Sequence, residues 1–153
     1  MNIKYFLAKP LFNILQFKFA IGGVPVIIQN SKKEILLGKR TKNMITYPEF
    51  WGLPGGIIDY NELSEKTAIR EVKEELGVDI KIVKKSKIIY ENPPKKECSL
   101  HSINIVYYAK IIKGEPKPLN ETSEIKWFKP SEIKKINLAY NHKEILQKEG
   151  LLK

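Results

Sequence analysis

Residues Gly56 to Val78 read G-I-I-D-Y-N-E-L-S-E-K-T-A-I-R-E-V-K-E-E-L-G-V. Ala68, Ile69, Val72 and Leu76 recur at helical spacing and predict a helix with one apolar stripe. Ser64 is placed to cap that helix, Glu65 stands in its first turn, and Gly77 supplies the stop. Glu71, Glu74 and Glu75 then share a second face, with Arg70 beside them. Three carboxylates that close repel one another unless a cation lies between them. Hard divalent ions held by oxygen ligands bind and polarise phosphates. The stretch therefore implies a Mg²⁺- or Mn²⁺-dependent site for a phosphorylated substrate. The competing reading is a solvated helix face with Arg70–Glu74 as an ordinary ion pair.

The charge distribution favours the first reading. From Asp59 to Asp79 seven acids face three bases, a local charge of −4 in a chain of net charge +10. An acidic pocket in a basic body draws a cation inward and a polyanion toward it. The lysines are spread in short clusters, such as Lys32-Lys33 and Lys134-Lys135, rather than along a stripe. Nucleic acid is accordingly not the expected partner.

The rest of the chain reads as a single domain with a substantial core. Strands are expected over 19–29, 34–40, 78–91, 102–112 and 124–128, with a short extended stretch over 51–58. A brief helix opens at Pro130-Ser131, and a last one is expected over 139–148. Strands mixed with a few helices, without regular alternation, predict an α+β fold with a mixed β-sheet flanked by helices. Residues 1–18 stand apart as an amphipathic, apolar extension interrupted by Lys4, Lys9 and Pro10, with the domain proper over 19–153. No apolar run reaches the roughly 18 residues that span a bilayer. The one cysteine, Cys98, forms no internal disulfide and fits a reducing, cytoplasmic setting. Cys98 and His101 alone do not form a zinc spacing, and His101 and His142 are expected at the surface or at a helix cap.

The stretch resembles the Nudix box. That box is a glycine, five residues, Glu, seven residues, Arg-Glu, an aliphatic, any residue, Glu-Glu, any residue, Gly and an aliphatic. Gly56, Glu62, Arg70, Glu71, Val72, Glu74, Glu75, Gly77 and Val78 fill every fixed position, and Trp51-Gly52-Leu53-Pro54-Gly55 resembles the usual lead-in. The resemblance implies an α/β/α sandwich and metal-dependent hydrolysis of a nucleoside diphosphate linked to another moiety. ADP-ribose or a nucleoside diphosphate sugar is the first expectation. Nucleoside triphosphates, oxidised ones included, and dinucleoside polyphosphates are alternatives, as is a nucleotide-sensing or RNA-binding module without turnover.

Residue roles follow from the same resemblance. Glu74 and Glu75 are the expected metal ligands, and Glu71 is a ligand or general base. Arg70 is expected to pair with Glu62 and hold Glu71, while Gly56, Glu62 and Gly77 keep the box in shape. Gly55 offers its backbone carbonyl to the metal, and Glu121 is the expected acid from outside the box, with Glu124 and Glu115 as rivals. Arg40 is expected to face the phosphates. Tyr47 and Trp51 present aromatic faces suited to stacking a base or sugar. Pro93 sits where ADP-ribose pyrophosphatases carry a proline, a homodimer is expected by analogy, and Tyr90 and Tyr107 are read as core or rim.

Overall fold

β1 (Ala20–Ile28) is buried on both faces, which is why it reads as a near-continuous apolar run. Val24, Val26 and Ile28 enter one core and Ile27 the opposite one. β2 (Ile35–Arg40) divides the same way, with Leu36 on one side and Ile35 and Leu37 on the other. A computed structural model of the chain describes residues 19–96 and 98–152. The 1–18 extension lies outside the described residues.

The other strands are β3 (Trp51–Gly52), β4 (Gly55–Ile57), β5 (Asp79–Asn92), β6 (His101–Lys113) and β7 (Thr122–Phe128). They form two sheets. One is mixed, in the order β4-β1-β6-β5, with β1 and β6 parallel; the other is antiparallel, in the order β3-β2-β7. The sequence suggested one extended stretch over 51–58, and the structure divides it between the sheets. Pro54 has no N–H to continue a ladder, and its carbonyl instead accepts from Val26 N–H at 2.8 Å. Gly55 follows at φ 134°, where a Cβ would meet Val24 O at 2.0 Å. Only glycine lets the chain pass there.

α1 (Ser64–Leu76) covers one side of the sheets, and α2 (Pro130–Ile133) and α3 (His142–Lys148) cover the other. The result is the expected α/β/α layering. Ala68, Val72 and Leu76 are fully buried on α1, as the periodicity predicts; burying each large apolar side chain contributes about 1.5–3 kcal/mol. Thr67 is buried with them, its hydroxyl donating to Glu62 at 2.7 Å. Ser64 is not the cap. It is the first helical residue, and its hydroxyl shares a 2.7 Å hydrogen bond with Tyr107, while Leu63 stands at the N-cap without a side-chain bond. Gly77 does end the helix, at φ 69°. On the opposite side Glu149 accepts hydrogen bonds from Ser86, Tyr90 and Tyr108, tying the end of α3 to β5 and β6.

His142 opens the last helix, next to its cap Asn141, but is buried rather than at the surface. It is 8% exposed, and its Nδ1 accepts the Leu53 N–H at 3.0 Å, so the neutral ring carries its proton on Nε2. Burial, aided by the charge of Arg40, pushes its pKa down to about 3. The unfolded chain takes up this proton near pH 6.5 and the folded chain only near 3, so stability falls as pH drops through that window. The loss approaches roughly 4–5 kcal/mol at pH 3. In urea titrations between pH 7 and 4, His142→Gln is expected to flatten the midpoint's decline relative to the parent; equal slopes would show that His142 does not drive it.

Candidate active site

The loop between β6 and β7 docks on the C-terminal end of α1, where its acids stand. Gly77 leaves the last carbonyls of the helix without intrahelical donors. Lys117 N–H donates to Leu76 O at 3.1 Å, Leu119 N–H to Glu75 O at 3.0 Å, and Asn120 Nδ2 to Glu74 O at 2.8 Å. Asn120, at φ 49°, then turns the chain so that Glu121 sits beside the helix. The Glu121 carbonyl accepts from Thr41 N–H at 3.0 Å, which joins this loop to the end of β2. Glu121 acts electrostatically on both Glu71 and Glu75. Glu124 instead faces Lys39 at 3.9 Å in an exposed pair, and Glu115 is exposed.

The Gly55-Gly56 turn meets the same acids from the sheet. Gly55 N–H donates to Glu75 Oε2 at 3.0 Å. A Cβ on Gly56 would lie 2.3 Å from the Glu71 carboxyl carbon. Gly56→Ala therefore displaces the end of a flexible side chain rather than backbone. It is expected to lower turnover roughly 10- to 100-fold, the usual cost of disturbing a metal ligand if Glu71 is one, with a nearly unchanged melting temperature. Initial rates and circular dichroism on one preparation test this, and full activity in the variant would mean Glu71 has no required position.

Arg70 holds the remaining face. Its Nε and Nη2 bond Glu62 at 3.0 and 2.9 Å, and its Nη1 bonds Glu71 Oε1 at 2.8 Å. Asp59 and Glu74 lie 3.5 Å from the same guanidinium. A planar fork can serve Glu62 and Glu71 together, which a lysine cannot. The hydrogen bond from Arg70 holds the Glu62 carboxyl down at about 2. Burial pushes Glu71 above the usual carboxylate range against the pull of Arg70, with Glu74 and Glu121 adding to the rise. Burial likewise pushes Glu75 up to about 8, against the Gly55 hydrogen bond.

These residues fit a hard divalent cation in donor chemistry. The enclosed Glu75 carboxylate accepts a bond from a neutral N–H and faces two further acids, an arrangement that a cation relieves. Among the described residues no three acids, cysteines or histidines are already drawn together as a cage. Glu71 is held by Arg70, and the half-exposed Glu74 leans toward the same guanidinium.

Across from α1, Arg40 ends β2. Its Nε donates to Thr46 O at 2.9 Å and its Nη2 to Thr46 Oγ1 at 3.1 Å. Its charge reaches Glu75, Tyr140 and His142. The Tyr47 expectation needs correction. Tyr47 is buried among Phe50, Tyr140, Cys98 and Ala139, so the protein's own core occupies its ring. Trp51 is partly buried and packs edge-to-face on Phe128. Tyr90 and Tyr107 are core residues, Pro93 is exposed in the β5–β6 loop, and His101 pairs with Glu91 at 2.7 Å. Sequence reading missed Thr46, Asn120 and Tyr140, whose partners lie 46 or 94 residues away except for the Arg40–Thr46 bonds.

The family model of the NUDIX domain matches residues 21–148. The chain belongs to the Nudix family. As a Nudix protein it is a hydrolase acting on phosphorus-containing anhydrides, and Nudix hydrolases generally use divalent metals. It is 33% identical to an ADP-ribose pyrophosphatase of Methanocaldococcus jannaschii over 121 residues, covering 79% of this chain and 68% of that one. A MutT protein from Methanosarcina mazei superposes with a TM-score of 0.70 at 26% identity, covering 87% of this chain and 96% of that one. A bifunctional NMN adenylyltransferase/ADP ribose pyrophosphatase from Francisella tularensis, complexed with AMP and a manganese ion, shares the fold. Its TM-score is 0.72 at 20% identity, over 97% of this chain and 47% of that longer one. Among the described residues no helix is long and apolar enough to cross a membrane.

Proposed function

We propose that this Nudix protein cleaves the pyrophosphate bridge of ADP-ribose or another nucleoside diphosphate sugar, with Mg²⁺ or Mn²⁺. The observation that carries the reading is the pair of carboxylates, Glu71 and Glu75, at the Gly55-Gly56 turn, with the charge of Glu121 reaching both and that of Arg40 reaching Glu75. The M. jannaschii relative supports the choice of substrate, and the F. tularensis neighbour supports a divalent cation beside a nucleotide.

In this reading Glu74, Glu75, Glu121 and the Gly55 carbonyl hold the cation, and Glu71 either joins them or accepts the proton of the attacking water. A bound divalent cation offsets charge on the phosphate oxygens and makes water easier to deprotonate. Arg70 positions Glu71 through its fork. Arg40 meets the negative charge of the phosphates on the side away from α1. Attack at one phosphorus breaks the bridge and leaves two phosphate-bearing products.

Product analysis by chromatography and mass tests this. ADP-ribose, other nucleoside diphosphate sugars, nucleoside triphosphates and dinucleoside polyphosphates would be offered with Mg²⁺ or Mn²⁺. AMP and ribose 5-phosphate from ADP-ribose are the expected products. Pyrophosphate released only from a triphosphate would replace the substrate, and no turnover on any of them would replace the reading with a sensor or an RNA substrate.

A further inference from the structure

Arg40 reaches the site on a long side chain whose rotamer freedom works against a fixed position. Three contacts remove that freedom. Thr46 takes two of them, through its carbonyl at 2.9 Å and its hydroxyl at 3.1 Å. The third is the ring of Tyr140, whose centroid lies 5.2 Å from the guanidinium carbon. Thr46 and Tyr140 are themselves joined, hydroxyl to hydroxyl, at 2.7 Å. One residue, Thr46, thus holds the cation by two hydrogen bonds and also contacts the tyrosine over whose ring the cation lies.

The backbone around this triad is held in conformations that side chains rarely adopt. Tyr47 (φ 48°), Glu49 (φ 62°) and Tyr140 (φ 54°) all lie in the left-handed region. Such strain persists only where surrounding structure over-determines it, and it gathers at sites that need a group held in place. Here Tyr140 packs edge-on against Tyr47, and the loop is closed by Glu49 N–H to Arg40 O at 3.2 Å and Arg40 N–H to Phe50 O at 2.9 Å. From the other segment, Ala139 N–H donates to Trp51 O at 2.8 Å. Two loops far apart in sequence are locked onto one another around a single arginine.

We infer that Tyr140 and Thr46 are positioning residues, a clamp that presents the Arg40 guanidinium to a phosphate group of the substrate. The inference rests on the pyrophosphatase reading for its substrate, but the clamp itself concerns only how a phosphate is met. Neither residue touches the reacting atoms. Their effect runs through Arg40 and falls on phosphate binding rather than on proton transfer.

A double-mutant cycle decides it. The dissociation constant of inorganic pyrophosphate would be measured by calorimetry in EDTA for the parent and for Thr46→Val, Tyr140→Phe, Tyr140→Leu, Arg40→Ala and the Arg40→Ala/Tyr140→Leu double variant. KM and kcat for ADP-ribose with Mg²⁺ would be measured alongside. Tyr140→Leu, which loses ring and hydroxyl, is expected to weaken pyrophosphate binding and raise KM about 10-fold, with kcat changed about 3-fold or less. Tyr140→Phe and Thr46→Val keep the ring and are expected to cost about 3- to 5-fold each. Once Arg40 is alanine, adding Tyr140→Leu should change neither constant. An equal Tyr140→Leu effect with and without Arg40 overturns the clamp, because Tyr140 would then act by packing. Unchanged pyrophosphate binding in Tyr140→Phe, Thr46→Val and Arg40→Ala also overturns it, even if Tyr140→Leu fails to fold. An intact cycle on pyrophosphate with no ADP-ribose turnover in the parent would instead overturn the substrate reading and leave the clamp standing.

Discussion

Glu75→Gln is expected to lower turnover on the order of 10³-fold while leaving the metal-free protein at least as stable as the parent at pH 8. The loss follows from removing one carboxylate of the proposed cation site, where charge stabilisation is worth several kcal/mol and each 1.36 kcal/mol is tenfold in rate. The gain in stability follows from the site's electrostatics. Burial pushes the Glu75 carboxyl up to about 8, from the 4.5 of an exposed glutamate. Between those values the folded chain binds a proton that the unfolded chain has lost, so this group's contribution is present below about 4.5 and disappears as pH rises through 8. Glutamine carries no such dependence. Thermal melts in EDTA from pH 5 to 9 should show the parent falling away toward high pH relative to Glu75→Gln. Added Mn²⁺ should restore the parent and release protons. An active Glu75→Gln enzyme, or two parallel melting curves, would remove Glu75 from the centre of the site. Glu74→Gln, at a half-exposed position, is also expected to abolish turnover with the fold intact.

The second large effect belongs to Arg70. Arg70→Ala leaves Glu62, Glu71 and Asp59 without their shared cation. Breaking a fully buried pair costs about 3–5 kcal/mol, but these groups are partly solvated, so roughly 2 kcal/mol is expected, or about 4–8 °C in melting temperature. Turnover should fall about 100-fold, because Glu71 loses the 2.8 Å bond that fixes its carboxylate. Arg70→Lys discriminates between charge and shape. A point charge can balance the acids but cannot bridge Glu62 and Glu71 with one plane, so stability should recover while most of the rate loss remains. Full recovery of rate with lysine would mean that charge alone suffices.

Much of this site was legible because it is local. Glu71, Glu74 and Glu75 share a face through helical spacing, and the Ala68, Val72 and Leu76 stripe that buries the opposite face obeys the same period. Gly55 and Gly56 sit where a Cβ would collide, so their identity signals close approach even before the partner is known. Glu62, eight residues before Arg70, is within reach of the guanidinium once the chain turns into α1. The misreadings were of another kind. Ser64 has the chemistry of a cap but is spent on Tyr107, and Tyr47 has the face of a stacking platform but lies under Tyr140. His142 reads as a surface or cap residue; it opens the last helix but is a buried acceptor for Leu53.

Local spacing already encodes a helix with three carboxylates opposite an apolar stripe, its end at Gly77, and the glycine turn before it. Each of these depends on bonds and spacings within about twenty residues. Only long-range packing splits the 51–58 stretch between two sheets, brings Asn120 to the Glu74 carbonyl at the end of α1 with Glu121 next to it, and sets Tyr140 against Thr46 beside Arg40. Those contacts join segments whose separation only the packing of α1, α2 and α3 against the sheets removes, and no local preference encodes which distant partner a hydroxyl or an amide will find.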